Sequence, residues 1–519
     1  MRITNGIINN NTKNNILVNK EYSDRYNTMV ATGQKITRPS DDPIVAIRAL
    51  RLNNNINEIN QYYDKNIPDA EAWMEITETA LTQTQSVLES VQSNLTQGAS
   101  DDNQSKDRLN LLENLKALKD QIYASGNADY AGRTVFTGFR TGESLTFMTD
   151  ETQLFTMVQN FSTADVNKMT YVSGANNYDP EKLYEYDPDT YNQTDVKNNE
   201  IFRLRLAYED LTTDQKDIHG GTLNRSLTVT LKDGSTVRAG VSVKTLGNDP
   251  VENDKIYTEV GDNEVTLITT TGELILGKNI AAQMRKEGST TSFEYAKENW
   301  KKNDPRPEHY FAAKTYDADA DGGRGREIEY NYDENHQPAF KDQKIQYEIA
   351  YNQKIEINVN ADEVFSTSIA RDVEELVNVT QHTEDAYNKL KKLEGYQSKG
   401  TLDPTSQAKI DALVDAAQKE YDLYKDKMQK MFSQGITTFK DYTDKLNNKL
   451  SAVGSLSNRL ELTKSRVSDQ LNNFKELADG NINAEITETA IDLKNAEMAL
   501  QAAQQAAATV SKTTLLSYL

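Results

Sequence analysis

Cysteine is absent from the 519-residue chain, which excludes disulfides, thiolate nucleophiles and Cys-ligated zinc or iron–sulfur sites together. Proline (10) and glycine (25) are scarce, about 2% and 5% against the usual ~5% and ~7%, so helices can run long with few interruptions. Apolar residues make up 37%, below the ~45–50% of globular domains, which implies more surface than a sphere of this length and favours a rod. No apolar run approaches the ~18 residues of a membrane helix. The opening Met1-Arg2-Ile3-Thr4-Asn5-Gly6 leads into Asn-rich sequence with no apolar secretory core. The expectation is no membrane partner, and either a cytosolic protein or one exported by a signal-less route. Positive charge is in deficit, with 58 Lys and Arg against 79 Asp and Glu and a net charge of −21. No basic stripe offsets the sum, so phosphate backbones are repelled and no nucleic-acid partner is expected.

Catalytic signatures are missing as well. His219, His309, His336 and His382 occur singly, with no His-Glu-x-x-His zinc helix, no Gly-x-Ser-x-Gly elbow and no phosphate-binding loop of the Walker type. Asp317, Asp319, Asp321 and Gly322 open like a calcium loop, but position twelve is Ile328, with Glu327 and Glu329 on either side, so the bidentate ligand is misplaced. An exposed acidic turn is the better reading. The expectation is no enzyme, no cofactor and no metal.

What is present is helical periodicity at both ends. Ile8, Val18, Tyr22 and Met29 form a weak stripe over residues 4–31. After Gly33, the loop Arg38-Pro39-Ser40-Asp41-Asp42-Pro43 places Asp42 to cap the next helix and Pro43 in its first turn. Val45, Ala49, Leu52, Ile56, Ile59 and Tyr63 then step by threes and fours. Ala70, Met74, Thr77, Leu81, Thr84, Leu88, Val91 and Leu95 repeat the seam after Pro68, and Leu111, Leu115, Leu118 and Ile122 follow, ending near Gly126. Trp73 and Phe136 read as large aromatic filler of the bundle.

Helical character returns at about Ile369, with interruptions near Gly395 to Ser406 and at Gly480. Its best stripe is Leu446, Leu450, Val453, Leu460, Val467, Leu471, Phe474 and Ala478. The last stripe is Ile486, Thr489, Leu493, Ala496, Leu500, Ala503, Ala507 and Val510; one helix over residues 486–516 would span roughly 45 Å at 1.5 Å per residue.

Between about 134 and 365 the texture is Tyr, Asn, Asp, Thr and Gly with short alternating runs. Leu227, Val229 and Leu231, the turn Lys232-Asp233-Gly234-Ser235 and Val237 read as a hairpin. Val265 and Leu267, Leu274 and Leu276, and 345–359 around Tyr351-Asn352-Gln353 alternate likewise, whereas 176–199 has little to bury and reads as an exposed excursion.

A narrow helical seam needs a partner to bury it. The fold expected is therefore α+β and multi-domain, a long coiled-coil-like bundle formed by the N- and C-terminal regions with a β-rich insertion. Its parts are 1–40, an N-terminal assembly helix pairing with 481–519; 41–135, a helical rod pairing with 366–480; and 136–365, the inserted outer domain. An ordinary coiled-coil hairpin, stable alone, is the plainer reading of the same periodicity.

Local sequences go further. Met1-Arg2-Ile3-Thr4, the run Ala31-Thr32-Gly33-Gln34-Lys35-Ile36-Thr37-Arg38-Pro39-Ser40-Asp41-Asp42-Pro43 and the closing Leu515-Leu516-Ser517-Tyr518-Leu519 resemble the flagellin superfamily. Gly132-Arg133-Thr134-Val135-Phe136-Thr137-Gly138, residues 355–365 ending Asn360-Ala361-Asp362-Glu363-Val364-Phe365, and Val453-Gly454-Ser455-Leu456-Ser457-Asn458-Arg459-Leu460 are similar to its hook-filament junction subfamily. The resemblance covers roughly 1–140 and 355–519. Pro43-Ile44-Val45-Ala46 departs from the Asp-Asp-Ala continuation of flagellin itself, and the helical stretch of about 380–435 is longer than the family needs.

The resemblance implies a non-enzymatic, secreted building block of the bacterial flagellum, located at the hook-filament junction. Hook-associated protein 1 would lie on the hook side and flagellin on the filament side. It also implies self-association in a ring and an export chaperone on the C-terminal helices. The residues expected at the subunit interface are Ile3, Ile8, Val18, Tyr22, Met29, Ile486, Leu493, Leu500, Val510, Leu515, Leu516 and Leu519. Arg38, Asp41 and Asp42 join them as a charged loop, with a plain capping turn the alternative for the two Asp. Flagellin is the alternative function, and an adhesive role for the Tyr-rich insertion is a further one.

Overall fold

The computed structural model describes residues 5–100, 104–174, 196–223, 225–317, 325–339, 343–398 and 403–516. Helices run Asn5–Thr32, Pro43–Gln61, Ile67–Gly98 and Ser105–Ile122 at the start, and Thr367–Gln397, Pro404–Ile482 and Ile486–Leu516 at the end. Among the described residues fourteen strands lie between the two helical groups, so the chain is α+β with helices at both termini. Among the described residues no helix is long and apolar enough to cross a membrane.

Local chemistry sets the boundaries. The first helix stops at Gly33, whose φ of +71° suits a residue without Cβ. The second starts at Pro43 with Asp42 as its cap, Oδ1 accepting from Ile44 N at 3.0 Å and Val45 N at 3.1 Å. A single π-helical turn, Tyr62–Asn66, rather than a break at Pro68, joins it to the third. There the seam expected from the spacing is realised in full: Ala70, Met74, Thr77, Leu81, Thr84, Leu88, Val91 and Leu95 are all buried. The two threonines are tolerated because their hydroxyls donate to the carbonyls of Trp73 and Ala80 one turn back, each at 2.8 Å. The interruption expected at Gly480 falls instead after Ile482, and Gly480 is helical.

The chain divides into two compact units. The first comprises Met1–Glu71, Tyr347–Ile355 and Ser457–Leu519. Ala46, Ala49, Ile59, Ile67 and Ala70, and Leu460, Val467, Leu471 and Ala478, are among its buried helical positions. Lys464 pairs with Glu71 at 2.7 Å, and Asn66 Nδ2 donates to Glu348 O at 2.7 Å, fixing the hairpin at 347–355 against the helices.

The second unit comprises Ala72–Gln346 and Glu356–Leu456. Helix Ser105–Ile122 packs on Thr367–Gln397 through Leu111, Leu115, Val373 and Leu376 and through the buried pair Arg108–Glu384 at 3.0 Å. Gly98 is required at a close approach: a Cβ there would lie 2.2 Å from the Phe432 ring. Trp73 and Phe136 are buried as expected, Phe136 edge-on to Phe365. The 380–435 extension has its own small core of Leu390, Leu393, Ile410, Leu413, Ala416 and Ala417, closed by Val172 and Val196.

The strands are β1 (Asp129–Tyr130), β2 (Arg133–Thr134), β3 (Glu151–Ser162), β4 (Val166–Ser173), β5 (Lys197–Arg205), β6 (Ser226–Thr230), β7 (Thr236–Lys244), β8 (Glu264–Ile268), β9 (Glu273–Leu276), β10 (Thr290–Trp300), β11 (Ala312–Asp317), β12 (Arg326–Tyr330), β13 (Gln346–Ala350) and β14 (Gln353–Glu356). Ten of them form one sheet in the order β12-β11-β3-β10-β6-β7-β8-β9-β5-β4. Among the described residues only β7 and β8 pair in parallel there, and the crossover a parallel pair needs is supplied by helix Pro250–Thr258. The β6–β7 hairpin turns where the sequence placed it, with Gly234 at φ +83°. β8 and β9 are less simple than the alternation suggested. Val265, Leu267, Leu274 and Leu276 enter the main core, while Ile268 and Ile275 face a second cluster with Tyr257 and Ile201, so both faces are covered. Of the excursion expected at 176–199, residues 176–195 lie outside the described residues, and Lys197–Asn199 belong to β5.

β5 and β9 are tied to helix Thr367–Gln397 by buried charge. Arg203 pairs with Glu273 and, at 2.5 Å, with Glu375; Arg205 pairs with Asp372 and, at 3.0 Å, with Glu375; Arg371 reaches Glu209 at 2.7 Å. Tyr257 and Thr271 hydroxyls complete the Glu273 carboxylate at 2.9 and 2.7 Å.

Candidate assembly interface

Helices Asn5–Thr32 and Ile486–Leu516 pack along each other within the first unit, and the second has the 31 residues expected of it. Its stripe is realised from Thr489 to Ala507 but not at Ile486, which is exposed: Thr489 is buried and Leu493, Ala496, Leu500, Ala503 and Ala507 are half-buried. On the first helix the half-buried positions are Ile8, Thr12, Ile16, Asn19, Ser23, Tyr26, Met29 and Val30. Asn19 Nδ2 donates to Ala499 O across the pair at 3.4 Å. This seam is polar at its centre, which is why counting apolar residues alone did not trace it.

The expected interface residues therefore fall into two groups. Ile8, Met29, Leu493 and Leu500 are drawn into the helix pair. Val18, Tyr22 and Ile486 stay on the outside, with Ile486 61% exposed. Ile3 and Leu519 lie outside the described residues, as do the side chains of Val510, Leu515 and Leu516.

The loop before the second helix and the turn before the last one lie side by side. Lys35 N donates to Ile482 O at 2.7 Å, Ala484 N to Gly33 O at 2.8 Å and Lys35 Nζ to Gly480 O at 2.6 Å, around a bridge between Gln34 and Asn483. Asp41 Oδ2 accepts from Arg38 N at 2.8 Å and Thr37 N at 3.1 Å. These backbone donors hold its carboxyl below the ordinary Asp value. Both carboxylates of the loop thus organise the loop itself, while the Arg38 side chain is exposed. Asp42→Ala leaves Ile44 N and Val45 N without their acceptor and is expected to cost about 1 kcal/mol of stability. A urea unfolding midpoint equal to wild type would show that water replaces the cap.

The sequence reading missed a second apolar face. Ile44, Ile47 and Leu50 are 72%, 54% and 62% exposed on one side of helix Pro43–Gln61, opposite Ala46 and Ala49. Leu17, Leu462, Leu477, Ile491 and Met498 are exposed on other helices of the same unit. The signal was present as apolar residues off the seam, which the search for one stripe per helix passed over.

Chemistry elsewhere is sparse. His219 and His336 are exposed and pair with Glu327 and Glu329, and His382 stacks on Tyr424. Asp319, Asp321 and Gly322 of the calcium-like run lie outside the described residues; Glu327 and Glu329 both contact Lys314. His309 is buried, its imidazole pushed down to about 3 by burial, and burial likewise pushes the neighbouring Glu308 carboxyl up to about 7.

Residues 3–141, which include the first of these terminal helices, match the family model for the bacterial flagellin N-terminal helical region. Among curated proteins, the chain is similar to flagellar hook-associated protein 3. The chain is 27% identical to that protein of Escherichia coli over 118 residues, 22% of this chain and 37% of the relative. It is 28% identical to that of Salmonella typhimurium over 113 residues, 22% and 35% of the two chains. The alignments thus span about a third of these relatives. Among solved structures, flagellar hook-associated protein 3 from Legionella pneumophila is matched over 83% of this chain and 97% of its own, at 10% identity and a TM-score of 0.30.

Proposed function

We propose that this chain is a structural, non-catalytic subunit of the bacterial flagellum that forms the junction between hook and filament. The observation that carries the reading is the first unit: a terminal helix pair with a polar, alanine-rich seam, flanked by exposed apolar side chains at Ile44, Ile47 and Leu50 and at Ile491 and Met498, with Ile486 exposed on another side of the last helix. Apolar side chains gathered on an exposed helix side suit an interaction site, and copies related by a repeated head-to-tail contact suit it. The similarity to flagellar hook-associated protein 3 supports neighbours among flagellar components. Hook-associated protein 1 lies on the hook side, flagellin on the filament side and further copies of this chain around a ring, with a chaperone on the C-terminal helices before export. Residues 1–40 and 481–519 are the assembly segment. Val18, Tyr22, Arg38 and Ile486, being outside the helix pair, are the positions offered to neighbours.

Flagellin is the second reading, because the matched family model is that of the flagellin N-terminal region. Immunogold labelling of intact flagella with antibody against the β-rich insertion separates the two. A narrow band at the hook end of the filament is the expected result. Label along the whole filament assigns flagellin instead, and label absent from flagella overturns both.

A further inference from the structure

Glu143, Glu308 and His309 converge in the second unit although Glu143 and His309 are far apart in sequence, and each offers a ligand atom within 4.8 Å of the others. We propose that these three residues form a binding site for a divalent transition cation of the zinc class.

The backbone that carries them is fixed on both sides. Glu143 N donates to Arg140 O at 3.1 Å, and Glu143 O accepts from Thr134 Oγ1 at 2.7 Å. Glu308 and His309 lie on a short 3₁₀ turn begun by Pro307, and Glu308 O accepts from Arg140 at 2.8 Å and Asn331 Nδ2 at 2.9 Å.

Two buried acceptors are left over. His309 Nε2 lies 3.0 Å from Ser144 O. A carbonyl only accepts, so Nε2 carries the proton and Nδ1 presents a lone pair. Nδ1 is buried with no hydrogen-bond partner. Glu308 Oε2 is likewise buried and unpartnered, while Oε1 faces Arg306 Nε at 3.4 Å. Glu308 and His309 are only 2% and 5% exposed, and unmet buried acceptors of this kind are uncommon and costly.

A cation between them satisfies both at once. An imidazole whose second ring nitrogen donates to a backbone carbonyl is the usual oriented form of a metal-ligating histidine. Glu143 and the Glu308 carboxylate, whose other oxygen faces Arg306, supply the negative charge, and the ring nitrogen selects zinc-like ions over calcium or magnesium. Ligands at about 2.0–2.2 Å from one Zn²⁺ lie roughly 3.5 Å apart in a tetrahedron, so closure asks a movement of about 1 Å, which the exposed Glu143 side chain can supply. The exposed side also gives the ion its way in and leaves the fourth position to water.

The test titrates zinc chloride into the full chain, stripped with chelator and free of any histidine tag, by calorimetry and thermal melting. Saturable binding at one ion per chain and a raised Tm are expected. Affinity should fall in Glu143→Gln, a surface change that leaves folding intact, and in His309→Gln. The loss should be at least the roughly 10–100-fold that follows when only an outer partner of a metal ligand is disturbed. No saturable binding overturns the proposal. So does binding that survives both changes but disappears in His219→Gln or His336→Gln, which would place the ion on the exposed His–Glu pairs.

Discussion

Arg203→Ala lowers the stability of the β-rich unit by about 3–5 kcal/mol, the cost of breaking a buried ion pair from one side. Arg203 stands between Glu273 on β9 and Glu375 on helix Thr367–Gln397, and it is only 6% exposed. Without it, among the described residues Glu273 keeps the Tyr257 and Thr271 hydroxyls, and Glu375 keeps Arg205 as its ion-pair partner. The same network predicts an acid limb. Burial alone would raise the Glu375 carboxyl, but Arg203, then Arg205, outweigh it and hold it at about 2; the ordinary value is about 4.3. A depressed carboxyl contributes stability above its unfolded value and loses it as pH falls from there toward 2. Wild type should therefore lose stability over that window, and Arg203→Ala should show a shallower loss from a lower plateau. Urea unfolding at pH 7, 4 and 2.5 measures both. A variant within 1 kcal/mol of wild type at pH 7 would mean that water already screens these charges.

Nothing in the sequence marked those charges as buried. Arg203, Glu273 and Glu375 lie on separate elements, and each alone reads as a solvated residue on a strand edge or helix face. The same holds for Glu143 with Glu308 and His309, where a search by spacing within one helix finds only single histidines. Local periodicity was far more legible. The seam from Ala70 to Leu95 is buried at every position, because a helix that must bury one face repeats its requirement every three or four residues. The 31-residue last helix and the Gly234 hairpin were readable for the same reason: short-range rules define them. Strand order was not, since β3 lies between β10 and β11 and no local signal encodes such pairings. The first helix shows a subtler limit. Ile8, Val18, Tyr22 and Met29 suggest one face, but Thr12, Asn19 and Ser23 occupy the contact with the last helix because small and polar residues let the two backbones approach.

That polar seam makes the terminal pair the part of the molecule most dependent on neighbours. A Leu or Ile gains roughly 1.5–3 kcal/mol on full burial, and Ile8, Ile16, Leu493 and Leu500 are only half-buried, with Ala496, Ala503 and Ala507 adding little. Isolated helices are marginal in water, so amides of residues 5–32 and 486–509 in a dilute monomer are expected to exchange rapidly. Those of β3 and β10, inside a ten-stranded sheet around Phe155, Met157 and Tyr295, should exchange at the slow limit. Deleting residues 1–32 or 486–519 should accordingly leave the melting of the sheet unchanged and abolish assembly, read as complete loss of filament growth in a strain that makes only the truncated chain. Slow exchange in both terminal helices of the lone chain would make the pair an ordinary self-sufficient hairpin. Filaments grown on either truncated chain would remove the terminal helices from the assembly mechanism altogether. Coupling order to assembly in this way also gives a reason for the composition: ordering the tails costs several kcal/mol that only a polymer interface can offset. A richer seam would let the tails close on themselves before neighbours arrive.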